Sequence, residues 1–212
     1  MYSSWPTTNA AQELPAINDI LASVGQAPVT TLDQTNPDVA IAYDTLLNIS
    51  REVEAEGWSF NNEVHVKFTP DANKHIKIPS NILQIDINND TQHSKETVRR
   101  TPAGETDAKL YDKVEHTYEW TEDHIHCDVV YYYDWIDLPR PIQDYIVARS
   151  AAIVSQRIVG DPTQYQMLQQ RESWTRAMAL EYECNQGDYT YFGHPRGENN
   201  YISYKPYEAL RR

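Results

Sequence analysis

The stretch NPDVAIAYDTLLNISREVEAEGWSFNNEVHVKF, residues 36–68, carries both kinds of structure in this chain. Asn36 is a good helix N-cap, and Pro37 suits the first helical position, where its missing N–H costs nothing. Val39, Tyr43, Leu46, Leu47, Ser50 and Val53 then recur at helical spacing and form one stripe. Asp44, Asn48, Arg51 and Glu52 point elsewhere. Gly57 closes the helix. At Trp58 the period changes: Val64, Val66 and Phe68 alternate with Glu63, His65 and Lys67, the pattern of a half-buried strand. A helix therefore hands over directly to a sheet near residue 57.

Upstream, Ile17, Ile20, Leu21 and Val24 lie at i, i+3, i+4 and i+7 of a helix predicted over residues 14–24. Pro15 belongs in a first turn, which puts the predicted start beside it; Gly25 and Pro28 mark the end. Residues 1–10 are expected to lack regular structure. Downstream, Ile76 and Ile78, then Leu83, Ile85 and Ile87, make two short alternating runs separated by Pro79. Residues 88–108 are polar, contain Arg99-Arg100 and Pro102-Ala103-Gly104, and read as a loop or mobile hairpin. Residues 111–120 read as a strand with Val114, Tyr118 and Trp120 on one face. Residues 125–135 read as another, centred on Val129-Val130-Tyr131-Tyr132-Tyr133.

Helical spacing returns after Leu138-Pro139-Arg140-Pro141 with Ile142, Tyr145, Ile146, Arg149, Ala152 and Ile153, and Gly160 caps the end. Asp161-Pro162 repeats the N-cap and proline device. The last helix, to about Gln186, carries Tyr165, Leu168, Thr175, Ala179 and Tyr182 on one face. The expected fold is α+β. Two helical hairpins, 1–57 and 138–187, form a four-helix bundle, because neither buries its stripe alone. An antiparallel β insertion of about five strands, 58–137, lies between helices two and three, and an extended C-terminal tail, 188–212, follows.

Composition narrows the function. The chain has 212 residues, enough for a sizeable core, and 31 acidic against 18 basic residues give a net charge of −13. Such a surface does not grip phosphates broadly, but it suits one past which DNA slides without sticking. Cys127 and Cys184 are far apart and make no disulfide framework, which fits a reducing compartment. No run of about 18 apolar residues occurs, so no membrane insertion is expected. Residues 1–9 have neither the charged nor the apolar region of a signal peptide. Fifteen tyrosines and five tryptophans accompany three phenylalanines, a surplus of side chains that suit half-wet interfaces.

Motifs for chemistry are sparse. His124, His126 and Asp128 would share a strand face and are the best metal candidate, but no closing ligand motif accompanies them, and they read as a solvated face with Cys127 opposite. No GxSxG, GxGxxG or GxxxxGK[ST] occurs. No catalytic, metal or cofactor-binding residue is assigned, and no cofactor is expected. Tyr131, Tyr133 and Trp135 share a strand face. Tyr189, Tyr191, Phe192, Tyr201, Tyr204 and Tyr207 fall in a stretch without helix or strand period. These nine are the candidate partner-interface residues, with core packing where sheet meets bundle as the other reading of the first three.

The stretch ELPAINDILASVGQAPVTTL, residues 13–32, with EGWSFN at 56–61, resembles the tail tubular protein A family of T7-like short-tailed phages. The helix after Leu138-Pro139 and the acidic helix ending in Ala179-Leu180-Glu181-Tyr182-Glu183 are similar too. Residues 62–130 match only in type. The resemblance implies a head-to-tail adaptor in the virion, assembled in the host cytoplasm. Its subunits would form a ring, normally of twelve, between the portal protein and the tail nozzle (tubular protein B), with tail fibres as a further partner. DNA would cross its central channel during ejection without specific binding, and the protein would not be an enzyme. A tail-associated hydrolase, acting on cell wall or depending on a metal, is the alternative; a free-standing oligomeric adaptor or chaperone is a third reading.

Overall fold

The computed structural model describes residues 10–33, 35–88 and 95–187. Four helices and five strands follow one another as α1 (Ala10–Ser23), α2 (Pro37–Glu54), β1 (Asn62–Phe68), β2 (Ile82–Ile87), β3 (Thr97–Arg100), β4 (Lys109–Asp112), β5 (Ile125–Tyr131), a 3₁₀ turn (Trp135–Asp137), α3 (Arg140–Ile158) and α4 (Pro162–Gly187). The architecture is α+β, with small antiparallel sheets between the second and third helices.

Each helix start follows from its sequence. The Asn36 side chain accepts from the Asp38 N–H, with Pro37 in the first turn of α2. Asp161 receives the Thr163 and Gln164 N–H groups in the same way at α4. α1 differs from expectation: it starts at Ala10, so Pro15 lies inside it rather than in its first turn. A proline there removes one backbone bond. The helix still continues, because Ile17, Ile20 and Leu21 beyond it are fully buried and packing outweighs propensity.

α3 is the central helix and packs against α1, α2 and α4. Its buried residues, Ile142, Tyr145, Ile146, Ala148, Ala151, Ala152 and Val154 among them, run all round the helix rather than along a stripe. α4 packs mainly on α3 and buries only Thr175 and Ala179 of its 26 residues. The helical core is built from α1, α2 and α3 together with Ala179 of α4, so the fourth helix joins the bundle along a narrow line.

The insertion has its own core of Ile76, Ile78, Ile82, Ile87, Leu110, Trp120, Ile125, Cys127 and Val129. Three strands form one sheet in the order β1-β5-β2, and β3 pairs with β4 in a second. Several strand readings change. Ile76 and Ile78 are buried but lie outside any strand, touching the sheet by a single bridge from Lys77 to Lys109. The polar stretch 88–108 contains β3, paired in register Thr97 to Asp112 and Arg100 to Lys109. The strand expected over 111–120 ends at Asp112, because its carboxylate accepts the Val114 and Glu115 N–H groups and turns the chain. Val114, expected on one strand face with Trp120, is 55% exposed while Trp120 is buried. The strand expected to reach Trp135 ends at Tyr131. Residues 1–9 and the expected tail, 188–212, lie outside the described residues.

Candidate functional site

Buried polar side chains join the helices to the insertion, Glu54 and Asn61 foremost. Gly57 takes a φ of +78°, a conformation open to glycine, and turns the chain out of α2. A Cβ at that position would stand 3.4 Å from the Val130 Cγ2, so the turn also lies close against β5. Trp58 is buried, and its indole N–H donates to the Val53 carbonyl at 2.6 Å.

Asn61 is the hub of the junction. It is 0% exposed. Its side-chain oxygen accepts the Trp58 N–H at 2.9 Å, and its amide donates to the Glu54 and Tyr131 carbonyls, both at 2.8 Å. Its backbone carbonyl accepts the Tyr131 N–H. One buried amide thus ties the end of α2 to the end of β5. Gln84 of β2 adds a bond from its amide to the Ala55 carbonyl.

The connection from β5 to α3 is held from the other side. Glu54, also 0% exposed, accepts the Ser50 hydroxyl at 2.8 Å and the Tyr133 N–H at 2.7 Å. Burial is the largest influence on its carboxyl, which is pushed up to about 7. Glu13 of α1 is buried as well and is also raised by burial.

Tyr131, Tyr133 and Trp135 run along this junction, each half-buried. Tyr131 packs on the insertion core, Tyr133 and Trp135 on the helical core. The Tyr133 ring lies 6.3 Å from both the Tyr131 and the Phe60 rings. Tyr189, Tyr191, Phe192, Tyr201, Tyr204 and Tyr207 lie outside the described residues. A groove of about 290 Å³ beside the 3₁₀ turn is lined by Pro15, Ala16, Trp135, Ile136, Arg140 and Val147, among others.

α4 is fastened by charge. The Glu183 carboxylate accepts the Ser59 N–H at 3.0 Å and its hydroxyl at 2.9 Å. Arg176 bridges Glu56 and the buried Tyr145 hydroxyl, and Arg149 of α3 reaches Glu52. Glu183→Ala is expected to cost about 1–2 kcal/mol, the worth of a half-exposed, charge-assisted bond. Hydrogen exchange should locate that loss in the last two turns of α4, and uniform loss across the helices would contradict it. Met167, Trp174 and Met178 stand on one exposed line of the same helix, with Trp174 66% exposed.

The metal candidate is spent on structure. Asp128 accepts the His65 N–H at 2.9 Å and the Asn88 amide at 3.0 Å. It thereby holds the β-bulge at which His65 adopts a φ of +58°. The His124 and His126 rings meet edge-on at 5.0 Å. Among the described residues no group of three His, Cys, Asp or Glu side chains could hold a metal ion. The Cys127 thiol is buried and pushed up to about 12, so it stays protonated.

Sequence reasoning missed Glu54, Asn61, Arg176 and Glu183. Ser50 on an apolar stripe, with Glu54 four residues on, was the available signal for the first. The others become visible only when distant segments meet.

These contacts join the helices to the insertion, and comparison with known proteins gives the class to which the chain belongs. Residues 14–189 match the family described as tail tubular protein, and the chain belongs to that family of phage tail structural proteins. A curated relative, "Tail tubular protein A" of Klebsiella phage KP34, is 26% identical over 170 residues, covering 80% of this chain and 85% of the relative.

Proposed function

We propose that this chain is the head-to-tail adaptor of a short-tailed phage. Its copies form a ring, normally of twelve, between the portal and the nozzle, and DNA passes through the central channel. The family match supports the tail assignment. The observation that favours assembly is α4: a helix of 26 residues that buries two of them and exposes Met167, Trp174 and Met178 is incompletely covered by the described residues. The net charge of −13 fits a channel wall that repels phosphate. Two separate cores support dividing the chain into helical parts, 1–57 and 138–187, around the insertion 58–137. The helical body would meet neighbouring copies and the portal. Tyr131, Tyr133, Trp135 and the aromatics between Tyr189 and Tyr207 would serve as contacts with the ring's partners.

Native mass spectrometry of the protein alone, and mixed with its cognate portal, tests this reading. A ring-sized species with the portal is expected; a monomer that ignores the portal overturns the proposal. Trp174→Glu is expected to abolish the ring while changing monomer stability by no more than about 0.5 kcal/mol, because the side chain is exposed in the single chain.

A further inference from the structure

A buried carboxyl placed at the joint between two parts of a chain can control how firmly they are held. Glu54 occupies such a place. It lies on the last turn of α2, and both of its hydrogen bonds come from neutral donors, Ser50 on the same helix and the Tyr133 backbone on the segment 132–134.

Its charged surroundings can be taken element by element. From α1, Glu13 is buried and its carboxyl is hydrogen-bonded to Tyr43 of α2. Asp134, from the connecting segment, raises the carboxyls of both Glu54 and Glu13. Tyr132 is half-buried beside Glu54, its phenol pushed up to about 12 chiefly by loss of water, and Arg51 of α2 acts on that phenol. Glu52 and Glu56 of α2 face the other way, to Arg149 of α3 and Arg176 of α4. The insertion contributes neutral amides, from Asn61 and Gln84. Three carboxyls therefore share one joint, and among the described residues no cation forms an ion pair with Glu54.

We propose that Glu54 is a proton-operated clasp between the helical body and the β insertion. Protonated, it holds segment 132–134 against α2; ionised, it leaves an unpaired buried charge beside two like charges and loosens that segment. The inference concerns a single chain and is independent of ring formation.

The sign follows from linkage. In the closed joint the carboxyl is pushed up to about 7, and in an opened joint it meets water and returns to its ordinary value of 4.5. The closed form binds the proton more tightly. Opening is least below about pH 4.5, increases as the pH rises from there to about 7, and levels off above.

Hydrogen exchange of the Tyr133 amide in the full chain, corrected for the intrinsic rate, tests the clasp. The opening constant is expected to rise about tenfold per pH unit between pH 5 and 7 and then flatten. Glu54→Gln can accept the Tyr133 N–H through its one oxygen and donate its amide to the Ser50 oxygen, without a titrating group, and its profile is expected to be flat. A flat profile in the unaltered chain, or a rise that survives in Glu54→Gln, overturns the proposal. If Glu54→Gln does not fold, the carboxyl carbon resonance of Glu54 in the unaltered chain decides: a midpoint near 7 supports the clasp, and one near 4.5 overturns it.

Discussion

Asn61→Ala is expected to lower the free energy of unfolding by about 3–5 kcal/mol, a large share of what holds a domain of this size together. The side chain fills three roles at once. It accepts the Trp58 N–H and donates to the Glu54 and Tyr131 carbonyls, at a position fully shut off from solvent. Alanine leaves these groups buried without that partner, and each orphaned group costs about 1–3 kcal/mol. The Glu54 carbonyl keeps a bond from the Gly57 N–H, which places the sum below three full penalties. Asn61→Asp separates donors from shape. It preserves the volume and the acceptor but turns a negative oxygen towards two carbonyls, so it should be at least as damaging as alanine. Urea unfolding followed by circular dichroism gives the comparison. A loss under about 1 kcal/mol for either variant would mean that the junction does not depend on this amide.

Trp120→Ala is expected to cost about 3–5 kcal/mol through the cavity it leaves, with the loss confined at first to the insertion. Trp120 is 1% exposed, packs in the core of the β region, and donates its indole N–H to the Leu110 carbonyl at 3.2 Å. Lys95 lies 5.0 Å above its ring and is paired with Glu122 and Asp112, so removing the ring also takes away a surface of this charged cluster. The helical core contains none of these residues. Helical circular dichroism should therefore persist under conditions where trypsin already cuts at Lys77, Arg99 or Lys109. Trp120→Phe retains most of the volume and should cost about 1–2 kcal/mol, mainly the lost hydrogen bond. Simultaneous loss of helix and insertion in Trp120→Ala would show that the two cores unfold as one.

The helices were legible because their signals are local. Asn36-Pro37 and Asp161-Pro162 start helices where the sequence places them, and the stripe from Val39 to Val53 is buried as its spacing requires. Pro15 misled because a rule about one backbone bond competes with the burial of Ile17, Ile20 and Leu21, and burial is worth more. The insertion was harder to read. Alternation placed β1 correctly, but Ile76 and Ile78 show that two buried residues at strand spacing can pair through a single bridge without forming a strand. Val114 was placed on one strand face with Tyr118 and Trp120 by parity alone, and the turn set by the Asp112 carboxylate ends the strand before it. At the junction, the aromatic run was visible in sequence. The partners that give it meaning, Glu54 on α2 and Phe60 after the glycine turn, come from far along the chain. Ser59 and Glu183, 124 residues apart, could not be joined by any local pattern.

The pairing of β1 with β5 constrains the order in which the chain can fold. These strands flank the whole insertion, and their register joins Asn62 to Val130 and Phe68 to Ile125. Until α3 is made, the apolar stripes of α1 and α2 have only each other to cover them. Closing a loop of this length costs only slightly more than closing a shorter one, so the cost in free energy is modest; the cost in time is larger, because distant contacts are found slowly. During synthesis, α1 and α2 leave the ribosome well before the central helix that completes their core. Because the insertion is made between α2 and α3, a chain whose synthesis lingers there presents the apolar face of α1 and α2 to other newly made copies before α3 covers it.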